Sequence, residues 1–140
     1  MAYIHVTVPR DEIGAVMGPG IAELRAAVAT QNVTVTGPWF THHLKDPGDT
    51  FDFEICLPVA TPVTPTGRIQ AGELRGCRVA RMIYHGAYEG LADAWGELET
   101  WIEVTGHRSA PDLWERYVLG PESSPSPLEW RTELNRPLVA

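Results

Sequence analysis

Hydrophobic and polar positions alternate along Tyr3–Val8 (YIHVTV), and the period of two together with the β-branched side chains predicts a strand. Pro9 ends it, and Asp11 is a candidate helix cap. Over Glu12–Thr30 the spacing changes, with Ile13, Val16, Met17, Leu24 and Val28 recurring as on one helix face. Gly18-Pro19-Gly20 interrupts that pattern, because proline lacks the N–H for the preceding turn. A kink, or a short helix leading into a longer one, is expected there. Val33–Thr36 and a Gly37-Pro38 turn lead into a strand at Trp39–Leu44. The Pro- and Gly-bearing turn Lys45–Thr50 returns the chain as its hairpin partner, Phe51–Leu57.

The same order then recurs. A strand centred on CRVARMIYH lies within Leu74–His85, and a helix covers Tyr88–Thr105 with Leu91, Trp95, Leu98, Ile102 and Thr105 on one stripe. Gly106 is placed to cap that helix. Leu113–Leu119 and Trp130–Leu138 read as strands around the Pro- and Ser-rich loop Gly120–Leu128. FDFEICLPV at Phe51–Val59 and WRTELNRPL at Trp130–Leu138 share one pattern: Glu, an aliphatic residue, two further residues, Pro and an aliphatic residue. Strand, helix, strand, strand is therefore read once in Met1–Val59 and again in Gly76–Leu138. The expectation is one α+β domain over residues 1–140, with a first module 1–59, a connector 60–75 and a second module 76–140. Six strands would form an antiparallel sheet, two helices would pack on it, and a central ligand cleft would run along the join.

Composition narrows the function. A chain of 140 residues with 44% apolar and 21% charged residues can bury a core without staples. Eleven scattered Lys and Arg against a net charge of −7 argue against direct nucleic-acid binding. No apolar stretch is long enough for a membrane span, so no membrane partner is expected. The two cysteines, Cys56 and Cys77, form no metal or disulfide framework. With no signal-peptide pattern, the expectation is a reduced, cytoplasmic protein. The five His give no metal-ligand spacing, since adjacent His42 and His43 on a strand point to opposite faces. Neither a metal nor a cofactor is expected, and nothing in the pattern specifies an oligomeric state.

Glu115 is the leading candidate for chemistry. Leu113, Glu115, Tyr117 and Leu119 share one strand face by alternation, which places a carboxylate among apolar and aromatic neighbours. Burying it unpaired costs several kcal/mol or raises its pKa. Glu115 would then anchor a cation or handle a proton in an apolar pocket. An ordinary ion pair with Arg131 or Arg136, or exposure on the solvent face, fits the same spacing. Trp39, Phe40, Phe53, Tyr84, Tyr88, Trp114, Tyr117 and Trp130 could form a ring-lined box, or pair across strands in the core. Trp95, on the helix stripe, reads as core. Glu54 and Glu133 match in the repeat and are expected to meet Arg or water.

Taken in order, YHGAYEGL, LWERYVL and WRTELNRPL, together with GPWF at Gly37–Phe40 and FDFEICLPV, resemble the GyrI-like effector-binding family. That resemblance implies two strand–helix–strand–strand modules around a cleft, and a glutamate in an aromatic–Glu–x–Tyr strand motif. Here the motif is Trp114-Glu115-Arg116-Tyr117. It implies cleft walls at Trp39, Tyr88 and Trp130, and with Phe53, Trp114 and Tyr117 these complete the ligand-binding set. The sequence departs from the family at Ala87, Arg116 and Asn135-Arg136. The implied function is binding of flat, amphipathic or cationic aromatic molecules. One alternative is a hydrolase that opens cyclopropane rings of DNA-alkylating natural products, with Glu115 and Tyr117 as catalytic residues. Another is a protein inhibitor of a DNA-handling enzyme.

Overall fold

The alternation at the start of the chain becomes a strand with one dry face. In the computed structural model, which describes residues 1–45, 48–121 and 123–139, β1 (Ala2–Pro9) buries Ala2, Ile4 and Val6 and leaves His5 and Thr7 exposed. The described residues cluster into two compact units, Met1–Arg75 and Gly76–Ala140.

In the first unit, β1 is followed by α1 (Ile13–Thr30), β2 (Phe40–His43), β3 (Thr50–Leu57) and β4 (Gln70–Ala71). The strands lie in the order β4-β1-β3-β2, with β1–β3, β1–β4 and β2–β3 antiparallel. Ile21, Leu24 and Val28 of α1 close over Ala2, Ile4, Val6, Phe53, Ile55 and Leu57. Helix α1 runs unbroken through Pro19, which together with Gly18 faces solvent, where the carbonyl deprived of its N–H can be hydrated. Gly20 lets the helix approach the sheet, since a Cβ there would stand 2.5 Å from the Ile55 Cδ1 atom. Asp11 does not cap the helix: it lies in a 3₁₀ turn, Arg10–Glu12, and Glu12 occupies the cap position without a side-chain bond.

The second unit repeats the plan with β5 (Val79–His85), α2 (Leu91–Val104), β6 (Arg108–Ser109), β7 (Leu113–Leu119) and β8 (Arg131–Val139). Strand β8 is central, antiparallel to β5 on one side and β7 on the other, and β6 pairs with its far end. Thr132 to Pro137 are consequently all buried. Ala94, Leu98 and Ile102 of α2 pack on Ala80 of β5 and Leu134 of β8, with Met82, Tyr84, Leu91, Trp95 and Leu138 around them. Both helices end alike. His107 N–H reaches the Ile102 carbonyl (3.0 Å) past Gly106 at φ +79°, and Val33 N–H reaches the Val28 carbonyl (3.0 Å) past Asn32 at φ +56°.

The protein is thus α+β with antiparallel strands and two helices, and eight strands occur among the described residues. The two strands beyond the expected six, β4 and β6, are two residues each, too short to leave a periodic signal. The segment expected as a connector packs into the first unit. Val63 and Ile69 are buried in that core, and the Gln31 side chain bonds both the amide and the carbonyl of Thr64 (2.7 and 2.9 Å). The turn expected at Lys45–Thr50 includes Asp46 and Pro47, which lie outside the described residues. No helix among the described residues is long and apolar enough to cross a membrane.

Candidate functional site

On β7, alternation directs Glu115 and Tyr117 to the side where α2 lies, because Glu115 pairs with Leu134 and Leu134 belongs to the core under α2. Among the described residues no arginine pairs with the half-buried Glu115. Its Oε2 accepts the indole N–H of Trp95 on α2 (2.7 Å), and its Oε1 accepts the hydroxyl of Tyr117 (2.7 Å). Burial pushes the carboxyl above the usual glutamate range, and the two hydrogen bonds, which favour the charged form, oppose that rise. Each oxygen still has a lone-pair direction in hand, so the group can take a cation or pass a proton. Arg136, a suggested partner, pairs instead with Glu99 (3.4 Å), and Arg131 donates to the carbonyls of Leu128 and Trp130.

Rings continue from this carboxyl. Tyr117 stands edge-on to Tyr88 (centroids 6.0 Å apart, planes at 75°), and Tyr88 lies against Trp130 (5.0 Å, 36°). All three residues are half-buried. The turn that carries Tyr88 explains much of YHGAYEGL. Gly86 sits at φ +130°, a conformation suited to glycine, and the Tyr84 hydroxyl donates to the Ala87 carbonyl (2.6 Å). A Cβ on Gly90 would overlap that same hydroxyl, so glycine lets the turn close on Tyr84. The Trp130 indole N–H is held by the Ser124 carbonyl (2.9 Å).

Within the second unit the structure gathers Glu115, Tyr117, Tyr88 and Trp130, whereas Phe53 and Trp39 belong to the first unit. Trp114 neighbours Glu115 in sequence but pairs with Asn135, so it projects from the opposite face of β7. Phe53 is fully buried in the core of the first unit, its ring stacked on His43 (5.2 Å, 19°). Trp39 packs half-buried against that same core. Leu119 leaves the face it was expected to share with Glu115, because the register slips by one residue between Tyr117 and Leu119 and sets Leu119 opposite Arg131. Trp95, expected as plain core, is the residue that sequence reasoning missed. Its signal was an indole N–H on an apolar stripe, a donor that needs a buried acceptor. Glu54 meets His42 (3.0 Å), and Glu133 meets Arg81 (3.3 Å) and Asn135 (3.1 Å), so neither carboxylate forms a paired acid site.

Among the described residues no group of three or more His, Cys, Asp or Glu could hold a metal. An open groove of about 920 Å³ in the first unit runs between the end of α1 and residues 61–66. Its walls carry no titratable side chain, so it offers volume without chemistry.

A family model described as the GyrI-like small molecule binding domain matches residues 1–138. Among solved structures, the EcmrR C-terminal domain aligns with 99% of this chain and 89% of its own, at 22% identity and a TM-score of 0.87. EcmrR in a DNA complex aligns with 98% of this chain at 24% identity and a TM-score of 0.85. This chain spans 52% of that EcmrR chain, about half its length. A hydrolase from Listeria innocua aligns with 99% of this chain and 87% of its own, at 15% identity and a TM-score of 0.68. At such identities the likeness is one of fold. No curated protein matches the chain.

Proposed function

The chain belongs to the GyrI-like small molecule binding domain family, and from that premise we propose that its second unit binds flat, amphipathic aromatic cations around Glu115. One observation carries this reading: a carboxyl whose pKa burial raises, gripped by Trp95 and Tyr117, at the end of a row of half-buried aromatic residues. A cation beside Glu115 relieves the cost of burying its charge, and the faces of Tyr88 and Trp130 each add about 0.5–2 kcal/mol of cation–π attraction. Two such rings and one carboxylate support affinities on the order of micromolar. Stacking tolerates varied chemistry, so a range of ligands is expected. The net charge of −7 suits cationic ligands and disfavours direct contact with nucleic acid.

The test is a titration of proflavine, a flat cation, against tryptophan fluorescence for the native chain and for Glu115→Gln. Loss of a buried charge pair predicts affinity at least about thirtyfold weaker in the variant. The variant should not lose stability at neutral pH. A carboxyl whose folded pKa is raised contributes stability that is present below the ordinary glutamate range and lost as pH rises, so an ionised Glu115 is a burden at pH 7. Equal affinity in the two proteins removes Glu115 from the site.

A second reading rests on the same carboxyl. With its pKa raised and Tyr117 at 2.7 Å, Glu115 could deliver general acid–base catalysis to a cyclopropane conjugated with a carbonyl. Water adds its oxygen to the ring carbon while the carbon–carbon bond breaks. The electron pair moves to the carbonyl oxygen, which takes up a proton, so the product is the substrate plus one water. Mass spectrometry of such a substrate separates turnover from binding: product beyond one equivalent of protein supports the enzyme, and its absence leaves the binder.

A further inference from the structure

Thr132, on the side of β8 that faces α2, is fully buried, and its hydroxyl has no hydrogen-bond partner among the described residues. Its ladder partners are two tyrosines, Tyr84 on β5 and Tyr117 on β7. Neither hydroxyl serves it. That of Tyr84 donates to the Ala87 carbonyl (2.6 Å), and that of Tyr117 donates to Glu115 Oε1 (2.7 Å). A buried hydroxyl left unpaired destabilises the protein, and valine would fill the same shape without that penalty. Nor does the fold require a polar group there. Aligning the repeated strands on Glu54 and Glu133 sets Phe53 at the matching place in the first unit, where it is apolar and fully buried. One ladder step away, Leu134 faces Glu115, so the idle hydroxyl and the carboxyl are neighbours on one face.

We propose that the Thr132 hydroxyl is a specificity contact of the Glu115 site, reserved for a hydrogen-bonding substituent on the bound molecule. The favoured ligand is then an aromatic cation that also carries an amino, hydroxyl or carbonyl group. This rests on the Glu115 reading above. Tyr117 links the two events, because it holds Glu115 Oε1 and lies across the ladder from Thr132. A cation that takes over Oε1 frees Tyr117 to turn, and the turn uncovers Thr132. The hydroxyl can donate or accept, so either kind of substituent is served.

Two cations of one ring skeleton provide the test on the full chain. Proflavine carries two amino groups, and N-methylacridinium carries none. Thr132→Val should weaken proflavine about tenfold, the worth of one buried hydrogen bond, and leave N-methylacridinium within about twofold. Thr132→Ser should keep the native preference, and the thermal midpoint of the valine variant should not fall. Thr132→Ala carries the same comparison if the valine variant does not fold. Equal losses for both cations, or none for proflavine, overturn the assignment. Failure of the parent reading looks different: the native chain then binds neither cation, or binds both regardless of Glu115→Gln.

Discussion

The two units present the same ladder positions and fill them with opposite chemistry. Across β1, β3 and β2 one row reads Ile4, Ile55, Thr41, and the matching row across β5, β8 and β7 reads Met82, Leu134, Glu115. The next row is Val6, Phe53, His43 in the first unit and Tyr84, Thr132, Tyr117 in the second. The helices follow suit. Gly20, Ile21, Leu24 and Val28 have the spacing of Ala94, Trp95, Leu98 and Ile102, so Trp95 stands where the first unit has a buried Ile21. Most of the apolar skeleton is common to both. The candidate site is an overlay on that skeleton, made chiefly by exchanging Ile21, Thr41 and His43 for the types found at Trp95, Glu115 and Tyr117. An architecture of this kind can keep its fold while one unit changes what it binds.

The sharpest way to break the comparison is to place the carboxylate in the wrong unit. Thr41 is fully buried, so Thr41→Glu puts a charge where neither an indole N–H nor a phenol is available at the matching positions. A loss of about 3–5 kcal/mol is expected in a urea titration. Adding Ile21→Trp and His43→Tyr should recover part of it. A cost below about 1 kcal/mol would show that the first unit is no drier than the second at this ladder position.

Acid separates the units next, with opposite signs. His43 is buried against Phe53, and burial, helped by the charge of His42, lowers its pKa to about 4. Its neutral form contributes stability that is present above about 6.5 and lost as pH falls through about 4, amounting to roughly 3 kcal/mol. His43→Phe should flatten that part of the stability profile, measured as the difference from the native chain. Glu115, raised by burial, contributes in the other sense, and its stability is lost as pH rises. Identical slopes for the native chain and His43→Phe between pH 6.5 and 4 would contradict the burial argument for His43.

The smallest effect tests the overlay itself. Trp95→Phe removes a donor that favours the ionised carboxylate, so the Glu115 pKa should climb further. Proflavine affinity at pH 7 should fall about fivefold, with the midpoint of its pH dependence displaced upward. A weaker affinity with an unmoved midpoint would mean that Trp95 acts only by packing.

Much of the scaffold was legible because it is local. Alternation marked β1, the stripe marked α2, Gly106 marked its end, and the repeated Glu–aliphatic–x–x–Pro pattern marked β3 and β8 as counterparts. The continuous helix through Pro19 was not legible, since the outcome depends on that turn facing solvent. The candidate site was half legible. Glu115 and Tyr117 share a face by period two, but the indole that holds the carboxyl is 20 residues away on another element. Trp114 and Phe53 were drawn in by residue type, whereas register sets Trp114 on the other face of β7 from Glu115 and Phe53 is buried in the core of its own unit.

By itself, then, the sequence determined two strand–helix–strand–strand units, their helix ends and the face that bears Glu115, because period, turn chemistry and capping act over a few residues. The tertiary structure alone decided that Trp95 and Tyr117 grip the carboxyl, that Tyr84 seats the turn of Tyr88, and that the Thr132 hydroxyl has no hydrogen-bond partner among the described residues. Those outcomes depend on ladder register and on where a helix comes to rest over its sheet, and no short window of sequence contains either.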